Sequence, residues 1–437
     1  MIQATQQSIL EKLKINALNE MQEHSIQAMR TNKNVLLLSP TGSGKSLAFL
    51  LSIYNELSFE KSGVQALIIT PTRELALQIE SVFKAMGTDY KINATYGGHS
   101  IRIEKNNFSE PPAVLVGTPG RILDHVKREN INLSGVHTLV LDEFDKSLEM
   151  GFEEDMSQII GAMKSIEKKM LVSATDLQEL PSFIEFIQFE RVDFLVKNEE
   201  SNIKYFKINC LDTEKVETLF ELLCNLPEGK TIIFCNHREA VVRIYDFLID
   251  GNIHAVYYHG GMDQEERERA LIKFRNESAQ FLVATDLAAR GLDIDAVEHV
   301  IHYQLPQQEA VFKHRSGRTA RQNADGVVFT FQTEKDKFPD FMPDMFVYDI
   351  VPNEPLPEPP YWKTIYIGGG KKDKINKVDV VGFLHKIGGL KSTDIGMITV
   401  MDHSTLVAIN RFEAEEVVPQ IRDQKIKGKK FKIGFAR

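Results

Sequence analysis

A chain of 437 residues is too long for one hydrophobic core and is expected to divide into about three domains. Its 43% apolar and 26% charged residues describe an ordinary globular protein and exclude a disordered or fibrous one. The net charge of −9 excludes a chain that is basic throughout, but residues 361–437 carry 15 Lys and Arg against 8 Asp and Glu, a +7 tail on a −16 body that suggests a polyanion-binding appendage. The cysteines Cys210, Cys224 and Cys235 form neither a CxxC pair nor a disulfide framework, which predicts a reducing, cytoplasmic setting. Met1 to Thr5 has no signal-peptide character, and no apolar run approaches the ~18 residues of a membrane span.

In chain order, helices are predicted over Ser8–Leu18 and Gln22–Met29. Apolar runs then alternate with helical stretches: Val35–Leu38, Ala66–Thr70, Ala113–Gly117, Thr138–Leu141 and Met170–Val172. A second series follows at Lys230–Cys235, Ala255–Tyr258, Gln280–Ala284, His299–His302 and Gly326–Phe331, with helices such as Glu239–Ile249 and Gln264–Phe274 between. Each series is a βαβ pattern and predicts a parallel sheet covered by helices on both faces. Residues 1–197 and 204–350 are thus expected to form two α/β domains facing a cleft, joined near Val196–Lys204. Five prolines within 351–360 exclude helix or central strand and predict a stiff, extended linker. Residues 361–437 read β-α-β-β-α-β: strand Thr364–Ile367, helix Val378–Ile387, strands Ile395–Met401 and Thr405–Asn410, helix Glu413–Arg422, strand Lys430–Phe435. That is the ferredoxin-like order of RNA-recognition modules.

The chemistry concentrates where the first strand runs into Ser39-Pro40-Thr41-Gly42-Ser43-Gly44-Lys45-Ser46 and a helix follows, the order of a phosphate-binding loop. Gly42 and Gly44 allow backbone N–H groups to close around phosphate oxygens at a helix N-terminus. Lys45 is suited to the β- and γ-phosphates and the Ser46 hydroxyl to Mg²⁺. Ser39 stands where the strict motif has glycine. Downstream, the strand Thr138–Leu141 ends in Asp142-Glu143-Phe144-Asp145, which provides Asp142 for Mg²⁺ and Glu143 for activating water. Ser173 and Thr175 could bond to the segment around Asp145. In the second series, His314-Arg315-Ser316-Gly317-Arg318-Thr319-Ala320-Arg321 is read as a turn leading into a helix, and Arg318 and Arg321 are the candidates for charge on a γ-phosphate.

This set, in this order, resembles the DEAD-box RNA helicases of superfamily 2. Residues 39–46 resemble motif I, Pro71 to Gln78 motif Ia, Gly97-Gly98 the GG motif, Thr118-Pro119-Gly120-Arg121 motif Ib, Asp142–Asp145 motif II and Ser173-Ala174-Thr175 motif III. Ile233 to Asn236 resembles motif IV, Gln264 to Arg267 the QxxR motif, Ala284 to Ile294 motif V and His314 to Arg321 motif VI. The resemblance implies two RecA-like domains that bind ATP and Mg²⁺, with Thr41, Gly42, Ser43, Gly44, Lys45 and Ser46 around the phosphates, Gln22 on adenine and Asp293 on the ribose. It implies an RNA path lined by Arg73, Gly98, Thr118, Arg121, Arg267 and Thr285. It also implies coupling between nucleotide and RNA through Asp145, Ser173, Thr175, His314 and Arg315. The tail resembles the RNA-binding domain of DbpA-type DEAD-box helicases, which implies structured ribosomal RNA and large-subunit assembly particles as partners, with the protein a monomer.

Three departures shape the expectations. The Pro-Thr that precedes the family's glutamine is replaced by Leu18-Asn19, which suggests looser adenine selectivity. Phe144 replaces the family's alanine, which suggests altered contacts near motif III or the phosphate loop. The strand Thr405–Ile409 lacks the aromatic pair of ordinary RNA-recognition modules, so RNA contact is assigned to Lys371, Lys372, Lys374, Lys427, Lys429 and Lys430. The function expected is an ATP-dependent RNA helicase that locally unwinds short RNA duplexes. The competing readings are an ATP-gated RNA clamp with little hydrolysis and a DNA helicase.

Overall fold

The structure, a computed structural model, describes residues 5–40, 42–98, 101–176, 180–195, 203–286, 297–319 and 325–436. They fall into two compact units, the first over 5–195 and the second over 203–436.

The first unit is built on a seven-stranded sheet in the order Ile92–Thr95, Val114–Gly117, Ala66–Ile69, Thr138–Leu141, Lys168–Ser173, Asn34–Leu38, Glu190–Asp193, every pair parallel. The strand period of two sends alternate residues to opposite faces. Val35 and Leu37 enter one apolar cluster with Phe49, Ile53 and Ile79, whereas Leu36 and Leu38 enter another with Leu139, Leu141, Phe144 and Met156. Both faces are therefore covered, as an all-parallel sheet requires. The strands Ile92–Thr95 and Glu190–Asp193 are not among the predicted runs: the first is Ile-Asn-Ala-Thr and the second Glu-Arg-Val-Asp, too polar to show an apolar pattern.

The predicted first helix is shifted and shortened, to Gln6–Leu13. Thr5 caps its start, and Lys14 adopts a left-handed conformation (φ 59°) while the Ile15 N–H turns back to the Leu10 carbonyl, which closes the helix before Asn16.

The second unit repeats the plan with seven parallel strands, ordered Ala255–Tyr258, Phe281–Thr285, Thr231–Cys235, His299–His302, Gly326–Thr333, Ile203–Cys210, Phe346–Val347. Within the same unit the tail forms a four-stranded antiparallel sheet, ordered Ile395–Val400, Thr405–Asn410, Trp362–Ile367, Ile433–Phe435, with helices Lys377–Lys386 and Arg411–Ile421 closing its core. The single last strand expected over 430–435 is in fact two pieces. Lys427 (φ 51°) and Gly428 (φ 79°) make a two-residue turn with both φ positive, which pairs Lys425–Ile426 with Lys429–Lys430 as a hairpin before Ile433–Phe435 joins the sheet.

The proline-rich stretch carries no helix or strand, but it is not free. The Asn225 amide exchanges two 2.8 Å hydrogen bonds with the Val351 backbone, and Gln280 Nε2 donates to the Glu358 carbonyl at 2.8 Å. At its end the Thr364 hydroxyl lies 3.0 Å from the Asn276 amide and 2.7 Å from Ser278 Oγ, in a buried seam. The tail is thereby fastened to the domain before it.

Candidate active site and RNA-facing surfaces

In a parallel sheet the carboxyl ends of all strands lie on one edge, where ligands bind. Three neighbouring strands of the first unit end in the predicted motifs: Asn34–Leu38 leads to the phosphate loop, Lys168–Ser173 ends in motif III and Thr138–Leu141 leads to Asp142. Register brings them level, with Leu38 opposite Ser173 and Leu141 opposite Leu171.

The loop is held from within. Gly42 and Gly44 have φ of 84° and 87°, and a Cβ on Gly44 would lie 2.5 Å from Gln22 Nε2. Helix Lys45–Glu56 starts directly after Gly44, with Ser46 in its first turn. Lys45 Nζ donates to its own loop's carbonyls, Ser39 at 2.8 Å and Pro40 at 2.7 Å. Ser39, the departure from glycine, is fully buried, and its hydroxyl bonds Ser43 Oγ at 2.7 Å. Thr41 lies outside the described residues.

Gln22 and Asn19 act as a pair. They form a capping box at the start of helix Glu20–Thr31: Gln22 N–H donates to Asn19 Oδ1 (2.9 Å) and Asn19 N–H to Gln22 Oε1 (3.0 Å). The same side chains then reach the phosphate loop, Gln22 Nε2 to the Gly44 carbonyl (3.1 Å) and Asn19 Nδ2 to the Ser43 carbonyl (3.0 Å). Asn19, read from sequence only as a departure, is thus a loop-supporting residue. Its spacing of three from Gln22 is the signal that could have shown it.

Asp142 is 3% exposed. Burial first, and then the neighbouring Glu143 carboxylate, push its pKa up to about 7, against the pull of the Lys45 charge and the Glu143 N–H at 3.0 Å. A buried carboxylate of this kind is stabilised in its ionised form by a cation. Asp142 and the Ser46 hydroxyl are hard oxygen donors of the kind Mg²⁺ takes, and among the described residues no group of three or more His, Cys, Asp or Glu could hold a metal by itself. Glu143 sits at the N-cap of helix Phe144–Glu149 with φ 45°, a left-handed conformation unusual for glutamate. Phe144 is fully buried and belongs to the apolar cluster that includes Leu38, Leu141 and Leu171. Thr175 Oγ1 donates to Asp145 Oδ2 at 2.7 Å, and Ser173 Oγ braces Thr175 through its carbonyl (2.6 Å) and its N–H (3.1 Å).

On the RNA-path residues of this unit the structure is specific. Arg73 is buried, donates to the Gly97 carbonyl at 3.1 Å and lies against the Tyr96 ring, while its Nη2 meets no acceptor among the described residues. Gly98 has φ 88°, and a Cβ there would lie 2.8 Å from the Arg73 guanidinium. Thr118 stands at the N-cap position of helix Pro119–Lys127 without a side-chain capping bond, and Arg121 in its first turn bonds the buried Glu104 at 2.8 Å, which also meets His125 Nε2 at 2.7 Å and the Tyr96 N–H at 3.3 Å. Burial raises the Glu104 pKa, but the His125 hydrogen bond, the Arg121 charge and the Tyr96 N–H together bring it below the ordinary glutamate value. Glu104 and His125 carry no motif, and sequence reasoning did not find them.

In the second unit the predicted turn-to-helix is reversed. Helix Glu309–Ser316 carries His314 and Arg315 in its last turn, Gly317 terminates it, and Arg318 and Thr319 lie beyond, with Val297 N–H bonded to the Arg318 carbonyl. Arg315 is 2% exposed and fully committed: it forms a two-pronged ion pair with Asp286, donates to the Gln304 carbonyl at 2.7 Å and to Asn236 Oδ1 at 2.6 Å, and stacks on Phe234. One arginine thus ties motifs IV, V and VI together. Arg318 and His314 are buried, Thr285 ends its strand 8% exposed, and Arg267 stands on helix Gln264–Arg275, which starts with an Asp263–Glu266 capping box. Asp293 and Arg321 lie outside the described residues.

The tail's lysines converge. Lys427 Nζ donates to the Lys374 carbonyl (2.9 Å) and pairs with Asp379 (3.0 Å), and Lys429 approaches Asp373 at 3.7 Å, so the stretches 371–374 and 427–430 share one edge. Lys372 pairs with Asp402 at 3.5 Å and Lys430 with Asp423 at 2.8 Å. Exposed pairs like these are worth little, so phosphates can displace the carboxylates.

Two linked parallel-sheet domains, a phosphate loop beside a buried Asp142 followed by Glu143, and a basic αβ appendage define a nucleotide-dependent motor with an RNA-binding module. Residues 19–180 match the family described as DEAD/DEAH box helicase, 214–323 the helicase conserved C-terminal domain and 364–434 the DbpA RNA binding domain. The chain is 32% identical to the ATP-dependent RNA helicase DbpA of Bacillus subtilis (98% of this chain, 96% of that one) and 30% identical to DbpA of Escherichia coli K12 (97% and 95%). It also resembles S. cerevisiae Dbp5 bound to RNA and ADP BeF3, with a TM-score of 0.67 at 26% identity over 75% of this chain and 88% of that one. The chain belongs to the DEAD-box ATP-dependent RNA helicases, and it carries the DbpA RNA-binding domain. No helix among the described residues is long and apolar enough to cross a membrane.

Proposed function

We propose that this chain is a cytoplasmic ATP-dependent helicase that opens short RNA duplexes next to a structured RNA gripped by its tail, with ribosomal RNA in assembling large subunits as the target class. The observation that carries the reading is the alignment of Lys45, Asp142–Glu143 and Ser173–Thr175 on three adjacent strand ends. Three free thiols support the reducing setting.

In the proposed reaction Lys45 exchanges its two loop carbonyls for the β- and γ-phosphates of ATP, and Gln22 reads adenine from its place on the Gly44 carbonyl. Mg²⁺, held by Ser46 and Asp142, would supply charge neutralisation at the phosphates. Glu143 orients the attacking water and takes its proton. Arg318, together with Arg321, delivers positive charge to the γ-phosphate. Thr175 on Asp145 passes the nucleotide state to the RNA path of Arg73, Gly98, Thr118, Arg121, Arg267 and Thr285, which can follow phosphates and 2′-hydroxyls without reading bases. The tail raises the effective concentration of motor at its target.

The test is ATP turnover of the full chain with no nucleic acid, single-stranded RNA, ribosomal RNA fragments and DNA, run in parallel on Glu143→Gln. We expect RNA-selective stimulation, greatest with one ribosomal fragment, and a loss of turnover by about 10²-fold or more in Glu143→Gln with ATP-dependent RNA binding kept. Undiminished turnover in the variant would sink the catalytic assignment. Equal stimulation by every RNA would remove the ribosomal target.

A further inference from the structure

Away from the tail's lysine edge, the second unit holds a cavity of about 500 Å³ where the tail meets the domain before it. That volume lies within the roughly 300–1,000 Å³ of small-ligand pockets. His254 and Lys273 come from the domain, and Trp362, Lys363, Arg411 and Phe412 from the tail. Among the described residues three cations line it against one carboxylate, Glu415, which is already paired with Lys363. Arg411 is held by the Pro359 carbonyl and the face of Phe412 (4.7 Å), so its charge is positioned, and among the described residues no carboxylate pairs with it. Lys273 is drawn below the ordinary lysine range by burial and then by Arg269. His254 is also held low, by burial and then by Lys363, Arg411 and Lys273, which shows the three charges converging.

Unneutralised cations call for an anion, and the surrounding rings call for a flat partner. Phe412 is 67% exposed, and Trp362 forms part of the same wall. An acidic peptide would answer the charge and leave the rings unmatched. A duplex would offer phosphates but keep its bases stacked inside. A single-stranded nucleotide answers both, as in grooves where cations follow the backbone and aromatic side chains stack on bases.

We propose that this cavity is a second RNA contact of the chain, taking one single-stranded nucleotide with its phosphate on Lys273 and Arg411 and its base against Trp362 and Phe412. The inference rests on the RNA-helicase reading and adds a site to it. RNA seated here touches both sides of the Thr364 seam and so binds a strand that flanks whatever the lysine edge grips.

The test compares a fluorescein-labelled RNA hairpin with the same hairpin carrying a ten-uridine extension, by anisotropy on the full-length wild type, Lys273→Gln and Phe412→Ala. Both substitutions leave the apolar cores intact. We expect each variant to lose about fivefold or more in affinity for the extended RNA, the low end for one stacked base, and to bind the blunt hairpin as wild type does. The salt dependence of Lys273→Gln should lose about one phosphate contact. With 4-thiouridine in the extension, crosslinks should map to the peptides of Trp362 or Phe412. Variant affinities within twofold of wild type on the extended RNA, or a poly-glutamate probe that competes where ten-uridine RNA does not, would overturn the proposal. Wild type whose ATP turnover ignores all RNA would instead bring down the helicase reading beneath it.

Discussion

Gln22 illustrates how one side chain can serve two needs. Its carbonyl oxygen completes a helix cap and its amide nitrogen holds the phosphate loop. Asn19 fills the place where the family has threonine, and it caps the same helix while bonding the next carbonyl along the loop. The departure that suggested a looser adenine site supplies, in this chain, a helix cap and a bond to the phosphate loop. We expect Asn19→Ala to cost about 1 kcal/mol of stability and to raise the KM for ATP, with kcat at saturation kept. Gln22→Ala should raise the KM for ATP by about tenfold, the equivalent of one hydrogen bond, and narrow the preference for ATP over GTP. Steady-state kinetics with both nucleotides check this, and an unchanged ATP-to-GTP ratio in Gln22→Ala would remove glutamine from adenine recognition. Phe144 makes the opposite point. The residue that stands in place of the family's alanine joins the apolar cluster of Leu38, Leu141 and Leu171, between Asp142, Glu143 and Asp145 in the same motif.

At the level of elements, Glu104 joins helix Ile101–Asn107 to helix Pro119–Lys127 through Arg121 and His125. Its pKa is lowered in the folded protein, so the ionised form favours folding. That contribution is full above the unfolded value near 4.5 and disappears as pH falls through the lower folded value. Glu104→Gln should therefore destabilise the protein at neutral pH and flatten the acid limb of its stability curve, measurable by urea unfolding from pH 7 down to pH 3. A variant whose stability runs parallel to wild type across that range would contradict the assignment. What was legible in the sequence follows the same physics. Buried parallel strands are continuous apolar runs, and glycine-rich turns and proline clusters have few conformations, so these were readable. The two strands missed in the first unit are polar at half or more of their positions. The Arg315 and Glu104 networks escaped because their partners lie far apart in sequence, at separations of 79 and 21 residues. Only folding brings them together.

In the whole molecule, motifs I to III occupy one sheet edge of the first unit, and motifs IV to VI meet around Arg315 in the second, where the tail also belongs. The family assignment depended on motif order, which sequence carries fully. The fastening of the tail did not show in sequence, because Asn225, Gln280, Asn276 and Ser278 are unremarkable polar residues until their partners are placed. That fastening has a consequence for any attempt to separate motor from appendage. To a protease or a cloner, five prolines in ten residues look like a dispensable hinge, yet they run as a strap whose buckles are side chains of the helicase domain. A chain stopped at residue 350 would bare the amides of Asn225, Asn276 and Gln280 and uncover the wall behind Thr364. We expect its second domain to melt several degrees below the same domain in the full chain, and the intact protein to resist cleavage between 351 and 360 while more exposed loops are cut. Equal melting with rapid cutting in that stretch would show the strap to be loose. If the strap holds, lost activity in such a truncation would measure a damaged motor as much as a missing grip.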